Sequence, residues 1–197
     1  MKKRKYTKGL RANNESETRL KIVEAAMNLH GEVGPAQTTI SAIADRAGVQ
    51  RLTVYRHFPE ENELLGACLS HWLDLNPPPD PASWRDSVAT GDWAVTILSM
   101  LYDYYSQTAY MWEQCYRDRE AVPALGEQMK GFDSYLEGLA GDVLSDQDPK
   151  RRTGKVCRAV AQHAVQFSTW QSLSNTGLDN AQMAALLDDW LRKCPAS

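Results

Sequence analysis

Apolar residues recur at alternating spacings of four and three positions over long stretches of this chain, and no stretch alternates like a β-strand. The longest such run comprises Leu125, Met129, Phe132, Leu136, Leu139 and Val143. This spacing places all six side chains on one face of a single helix. Similar stripes occur within residues 93–104, 156–171 and 183–191. The pattern predicts an all-α protein.

The first third of the chain begins with a polar segment that lacks any such stripe. Residues 1–14 are basic and polar, and we expect them to form a flexible basic arm. A helix is then predicted from about Ser16, because apolar residues recur at helical spacing as far as Val33. Gly34 and Pro35 should end that helix.

Three shorter helices are predicted to follow. The first has Thr38 or Thr39 as its N-cap and stops at Gly48. The second lies within residues 50–58, and the third runs from about residue 60 to residue 75. The helix over residues 60–75 is predicted to link this N-terminal domain to the rest of the chain.

Proline and charge divide the chain into two parts. The run of prolines within residues 76–81 cannot be helical and should connect two domains. Up to Phe58 the chain has 11 Lys and Arg against 5 Asp and Glu, a net charge of +6, and the remainder has 11 against 20, a net charge of −9. We therefore predict a polyanion-binding domain over residues 15–75 and a body with another task over residues 76–197.

Several classes of protein do not fit this sequence. It has no apolar stretch near 18 residues that could cross a membrane, and no apolar run after its basic start as a secretory signal would have. Its four cysteines are far apart, as in reduced cytoplasmic proteins. Metal-ligand, phosphate-loop and nucleophile motifs are missing, so we predict no cofactor, no metal site and no enzymatic activity.

The most specific pattern lies between Thr38 and Leu65. A helix of about eight residues, a turn with Gly48 and a second short helix form a helix-turn-helix pattern. Its residues read Thr39-Ile40-Ser41-Ala42-Ile43-Ala44-Asp45-Arg46-Ala47-Gly48-Val49, then Thr53-Val54-Tyr55-Arg56-His57-Phe58, then Leu64-Leu65. Over about residues 16–72 this succession resembles the TetR (tetracycline-repressor) family of transcription regulators. The resemblance implies a three-helix DNA-binding head joined to a helical-bundle body for ligand binding and dimerisation.

The chain departs from the family pattern at two positions. Gln50 stands where the family usually has a serine N-cap for the recognition helix. Glu61 stands where a lysine commonly contacts a DNA phosphate, and a carboxylate would repel that phosphate. Alternatively, Glu60 and Glu61 complement the positive end of their own helix. In that case DNA affinity must come more from the N-terminal arm and the recognition helix.

Helical geometry assigns roles within the recognition helix. At about 100° per residue, Val54 and Phe58 share the face toward the head core, and Leu52 and Arg56 point away from it. The outward face, with Thr53 beside it, should enter the major groove, where arginine can bind guanine and leucine a thymine methyl. The predicted DNA contacts are Thr39, Ser41, Gln50, Arg51, Leu52, Thr53, Tyr55, Arg56 and His57.

Three of these assignments depend on the resemblance, which implies that Thr53, Tyr55 and His57 hold phosphate. Alternatively, Tyr55 packs in the head core and His57 only ends its helix. Thr39 and Ser41 lie at a helix start, where free amides favour an anion.

The body is rich in aromatic residues, which could line a cavity for an aromatic or hydrophobic effector. The predicted effector-binding residues are Trp93, Tyr105, Trp112, Tyr116, Phe132, Tyr135, His163, Phe167 and Trp170. Alternatively, these side chains only fill the core. The last two helices mix bulky and small residues, which suits a homodimeric four-helix bundle but would also suit the interior of a monomer.

The resulting hypothesis is a homodimeric, ligand-responsive regulator of the cytoplasm that binds double-stranded DNA. It is expected to be a repressor that a small-molecule effector releases from a near-palindromic operator, although the effector could also promote binding. The alternative is a ligand or protein sensor of the same fold with weak or no specific DNA binding.

Overall fold

The computed structural model describes residues 3–83, 85–89, 91–145 and 147–195, and of residues 3–12, 150 and 151 it describes the backbone alone. Ten α-helices occur in these ranges: α1 (Lys3–Val33), α2 (Ile40–Ala47), α3 (Arg51–His57), α4 (Glu61–Leu75), α5 (Trp93–Asp118), α6 (Pro123–Val143), α7 (Pro149–Thr153), α8 (Lys155–Ala164), α9 (Phe167–Ser174) and α10 (Asn180–Lys193). No strand is found in the same ranges, which confirms the all-α prediction.

The chain forms two compact units that differ from the predicted domains. Unit 1 contains residues 1–76 and 110–128, and unit 2 contains residues 77–109 and 129–197. The predicted boundary near residue 76 coincides with the end of the first segment of unit 1. Residues 110–128, which we assigned to the body, belong to unit 1 instead. Nothing in the sequence marks this segment, because it consists of the ends of two longer helices.

Helix α1 is longer than predicted. It begins at Lys3 rather than near Ser16, so the backbone of residues 3–14, expected as a flexible arm, is helical. The physical reason is that this segment contains no proline and is rich in lysine and arginine, which favour helix. Such residues extend a helix that packing has already nucleated, without the cost of a new first turn.

The core of unit 1 is formed by α1 to α4. Its buried members are Ile22, Val23, Ala25, Ala26, Leu29, Ile43, Ala44, Val54, Phe58, Leu64 and Cys68. Helix α1 ends at Val33, and Gly34 then adopts a φ of 94°, a left-handed value that glycine tolerates. Gly48 ends α2 in the left-handed conformation with a φ of 66°, as predicted.

The core of unit 2 includes the apolar seam predicted from the sequence. All of its residues from Met129 to Val143 are buried on one side of α6, and Leu125, also buried, lies in the part of α6 assigned to unit 1. Helix α10 begins with a capping box, in which the Asp179 carboxylate accepts from the Gln182 amide at 2.8 Å and the Gln182 side chain accepts from the Asp179 amide at 3.0 Å.

The stripe predicted over residues 156–171 is two helices rather than one. Helix α8 ends at Ala164 and α9 begins at Phe167. The carbonyl groups left open at the break accept side-chain hydroxyls: Tyr102 donates to Ala164 at 2.7 Å, and Tyr105 donates to Val165 at 2.8 Å. These bonds stabilise the break, because buried carbonyl groups without partners are costly.

No helix in the described part of the chain is both long and apolar enough to cross a membrane.

Candidate nucleic-acid interface and effector pocket

The helix-turn-helix of unit 1 is built by two short helices and a tight turn. The hydroxyl of Thr39 caps α2 by accepting from the Ala42 amide at 3.1 Å, which selects Thr39 over Thr38 as the cap. The Val49 amide donates to the Ala44 carbonyl at 2.9 Å across the Gly48 turn. Gln50 precedes α3 as its N-cap without a side-chain hydrogen bond, so this helix start lacks the usual hydroxyl cap.

Helix α3 presents one face to the core and the opposite face outward, as its spacing predicts. Val54 is fully buried and Phe58 is nearly so, whereas Leu52 is 66% exposed. Arg56 is exposed on the same side as Leu52. An apolar inner face fixes the orientation of the helix, and the outer face is left available for a ligand as large as DNA.

The predicted DNA contacts fall into two groups by exposure. The exposed ones are Thr39, Gln50, Arg51, Leu52, Tyr55 and Arg56, and the half-buried ones are Ser41, Thr53 and His57. Tyr55 is 45% exposed, so it is not a core aromatic. Whether any of them binds DNA stays a prediction.

Charged side chains connect α1 to α2 and to the residue that follows the recognition helix α3. The guanidinium of Arg19 lies 4.5 Å above the ring of Phe58, the residue that follows α3 as its C-cap. Arg46 of α2 pairs with Glu32 of α1 at 2.5 Å. Both contacts connect the recognition elements to α1, although the Arg46–Glu32 pair is exposed and contributes little stability by itself.

A second segment of unit 1 clamps the turn between α1 and α2. Asp118, at the end of α5, accepts from the Ala36 amide at 2.9 Å and from the Arg117 guanidinium at 2.7 and 3.0 Å. Arg117 also donates to the Val33 carbonyl at 2.9 Å. A side chain on Gly34 would overlap both Arg117 and Asp118, so the close approach requires glycine here. We call this set the Arg117–Asp118 clamp.

The clamp lies near a buried histidine. His30 is only 8% exposed, and burial lowers its pKa from 6.5 to about 4, with the charge of Asp118 opposing that effect. The hydrogen bond from Arg117 lowers the pKa of Asp118 below its usual value. Around neutral pH, His30 is therefore neutral and Asp118 is charged.

Trp112 and Tyr116, two of the predicted effector-binding residues, lie in unit 1. The Trp112 ring meets the edge of Trp72 at 5.2 Å and Tyr116 at 6.1 Å. Trp112 lines a cavity of about 30 Å³ together with His30 and Cys115. That volume suits about one water molecule. A small-molecule pocket needs about 300 Å³ or more, so an effector could enter here only if the walls moved.

The other seven predicted effector-binding residues lie in unit 2, and three of them form one cluster. The ring centroid of Tyr105 lies 5.3 Å from that of Phe167 and 6.0 Å from that of Trp170. Phe167 and Trp170 are 5.4 Å apart. All three side chains are buried. In this structure they form part of the hydrophobic core of unit 2, and their role in effector binding stays a prediction.

The remaining four are dispersed over unit 2. Phe132 stacks on Tyr135 at 5.5 Å, and the guanidinium of Arg85 lies 4.5 Å above Trp93. His163 is exposed on α8, beside a surface depression that Trp190 also lines. The structure thus does not bring the nine predicted residues into one pocket.

His30, Arg117 and Asp118 were not predicted as functional residues. Asp118 and Ala36 are 82 positions apart in the chain, so no local spacing could reveal their hydrogen bond. His30 sits at the end of an apolar stripe, where it could equally have been a helix-ending surface residue. Only the folded arrangement shows that Arg117 and Asp118 fix the turn before the helix-turn-helix and that His30 is buried.

The sequence match to a known protein family covers the helix-turn-helix region of the chain. Residues 22–68 match the sequence profile described as bacterial regulatory proteins of the tetR family. The HTH-type transcriptional regulator SrpR of Pseudomonas putida is 34% identical over 93 residues, which are 46% of this chain and 41% of SrpR. The chain therefore spans less than half the length of that relative.

Solved structures share the fold over most of the chain. The multidrug binding protein EbrR, complexed with imidazole, has a TM-score of 0.59 at 19% identity and covers 91% of this chain and 97% of its own. The transcriptional regulator FadR from Bacillus subtilis, in complex with stearoyl-CoA, has a TM-score of 0.55 at 14% identity, with 89% and 98% covered.

Proposed function

We propose that this chain, whose residues 22–68 match the TetR family of bacterial regulatory proteins, is a ligand-responsive transcriptional repressor acting in the cytoplasm. It would bind a near-palindromic DNA operator as a homodimer and leave that operator when a small-molecule effector binds. Its relative SrpR is named a transcriptional regulator, which supports this role.

The observation that carries the proposal is the outward face of α3. Leu52 and Arg56 are exposed on a helix whose opposite face is fixed by the fully buried Val54. An exposed leucine lowers solubility without contributing to the core. In the major groove of DNA, such a side chain can contact thymine methyl groups. Arg56 can donate two parallel hydrogen bonds to a guanine. Thr39, at the start of α2, lies where free helix amides favour a phosphate.

The homodimer is supported by an apolar face on α8 and α10. Val156 is 52% exposed and Trp190 is 46% exposed, and both line a surface depression of about 420 Å³ with Ala159, Val160 and His163. Large exposed apolar patches mark interaction surfaces. A two-fold dimer would place two copies of α3 about 34–36 Å apart, one turn of DNA, so that each reads one half-site.

The effector is proposed to be aromatic or hydrophobic, because both units contain clusters of aromatic side chains. EbrR and FadR, which share the fold, are solved with small molecules bound. To shift the protein from 99% to 1% in the DNA-binding conformation, an effector must prefer the other conformation about 10⁴-fold, or by about 5.5 kcal/mol. The proposed contacts remain those predicted above, beginning with the Tyr105 cluster.

The test is binding of the purified protein to DNA fragments from the region upstream of its own gene, followed by fluorescence anisotropy. We expect saturable binding to one fragment that persists when salt is raised to a physiological level, with two protein chains per site. Binding that is equal on all fragments and disappears with salt would refute the operator and favour the sensor alternative. Effectors are then sought as compounds that dissociate the complex.

A further inference from the structure

A cavity lies inside the helix-turn-helix head, directly beside the recognition helix α3. Its volume is about 410 Å³, within the range of about 300–1,000 Å³ that is usual for small-molecule pockets. Most of its wall is apolar, formed by Pro35, Ile40, Ile43, Phe58, Leu64 and Leu65. All of these residues belong to unit 1. We call it the head cavity.

Two acidic side chains line the head cavity. Glu60 and Glu61 stand at the start of α4 and are both exposed. Within the described part of the chain, neither carboxylate forms an ion pair or hydrogen bond, and Glu60 does not cap its own helix with its side chain. Two negative charges without an ion-pair partner beside an apolar wall favour a ligand that is both lipophilic and positively charged.

A buried polar side chain supplies an independent indication of a ligand. His30 lines the head cavity and is 8% exposed. Its imidazole makes no hydrogen bond to any residue that the structure describes. Its nitrogens are not among the fully buried side-chain atoms that lack a partner, so they are accessible to a molecule in the head cavity. A ligand with a hydrogen-bonding group facing His30 would bond the imidazole directly.

We propose that the head cavity binds a small aromatic cation that also carries a hydroxyl group. The aromatic body would pack on the apolar wall, the cation would be attracted by Glu60 and Glu61, and the hydroxyl would bond His30. Tyr55 lines the same cavity and is a proposed phosphate contact. An occupant would therefore compete with DNA for Tyr55, a consequence that rests on the proposed function, whereas the binding itself does not.

The experiment measures binding of four matched probes to the full chain without DNA, by ligand-observed NMR and calorimetry. Tyramine carries both the cation and the hydroxyl, phenethylamine lacks the hydroxyl, tyrosol lacks the charge, and 3-(4-hydroxyphenyl)propionate reverses it. We expect tyramine to bind most tightly and the propionate least. Equal affinities for tyramine, tyrosol and the propionate would overturn the proposal.

Substitutions assign the binding to this cavity. Glu60→Gln combined with Glu61→Gln should weaken tyramine about three- to tenfold, as expected for two exposed charge interactions, and should leave tyrosol unchanged. Glu63→Gln is the matched control, since Glu63 is exposed in the same helical turn and does not line the cavity. Equal effects of the control and the double variant would overturn the proposal.

His30 is tested by a separate pair of variants. His30→Phe should abolish the preference for tyramine over phenethylamine, and His30→Gln, which keeps a hydrogen-bonding group, should retain part of it. If His30→Phe fails to fold, the glutamate variants still test whether tyramine binds in the head cavity, because they change only exposed side chains.

The two proposals can fail separately. Operator binding without tyramine binding would refute the head-cavity site and leave the repressor role intact. Tyramine binding without operator binding would refute the repressor role and leave the head-cavity site intact.

Discussion

Lowering the pH from 7.5 to 5.0 should weaken the fold of unit 1 through one buried side chain, His30. Its pKa is lowered from 6.5 to about 4 in the folded protein, chiefly because the ring is buried. In the unfolded chain the same ring takes up a proton near pH 6.5. Between these two values the unfolded state binds more protons than the folded state, so the free energy of unfolding falls as the pH falls.

The magnitude follows from the two pKa values. At pH 7.5 both states hold a neutral His30, so its contribution is near zero. At pH 5.0 the unfolded ring is protonated and the folded ring is mostly neutral, which costs about 2 kcal/mol, rising to about 3 kcal/mol below pH 4. The neighbouring carboxylate of Asp118 does not add to this loss, because its pKa lies below its usual value of 3.8 and it stays ionised at pH 5.0.

The assay is urea unfolding followed by circular dichroism, at one protein concentration, for the natural chain and for His30→Gln. We expect the natural chain to lose about 2 kcal/mol more between pH 7.5 and 5.0 than the variant does. His71→Gln, at a partly exposed position, is the control and should follow the natural chain. The same pH dependence in His30→Gln and in the natural chain would refute the reasoning, as would an NMR titration of His30 near pH 6.5.

Three further substitutions test other parts of the structure. Gly34→Ala should lower the free energy of unfolding by about 1–3 kcal/mol, because alanine is strained at a φ of 94° and would overlap the Arg117–Asp118 clamp. The control is Gly141→Ala in α6, which has open space around it and should be neutral or stabilising. Equal effects in urea unfolding would contradict the clamp. Arg56→Ala should weaken binding to the best DNA fragment by about 1–3 kcal/mol and relax its sequence preference; uniform weakening on all fragments would make Arg56 a phosphate contact. Trp190→Lys should convert dimer to monomer in light-scattering chromatography, and an unchanged mass would place the interface elsewhere.

Local patterns predicted the elements whose causes are local. The Thr39 cap, the Gly48 stop and the inward face of α3 each depend on residues within one or two turns, and the structure has all three. The apolar seam of α6 was predictable for the same reason, because its alternating spacings of four and three residues can be read directly from the sequence.

The misjudged features depend on residues that are distant in the chain. The break between α8 and α9 is stabilised by tyrosine hydroxyls about 60 positions away, so an unbroken stripe predicted one helix. The start of α1 was misplaced because a helix is recognised from its apolar stripe, and a segment rich in lysine and arginine has no such stripe in its sequence. The predicted effector residues were chosen by type alone, and the structure distributes them between two units.

The Arg117–Asp118 clamp has a consequence for anyone who exchanges DNA-binding heads between regulators of this fold. A chimaera joined after residue 76 would transplant the turn at Ala36 without the carboxylate that accepts from its amide, and Trp72 without the Trp112 ring beside it. Such a hybrid would inherit the recognition helix and lose part of its support. A transplant that also carries residues 110–128 would keep helix α3 together with the residues that support it, but it would replace the ends of two helices in the recipient.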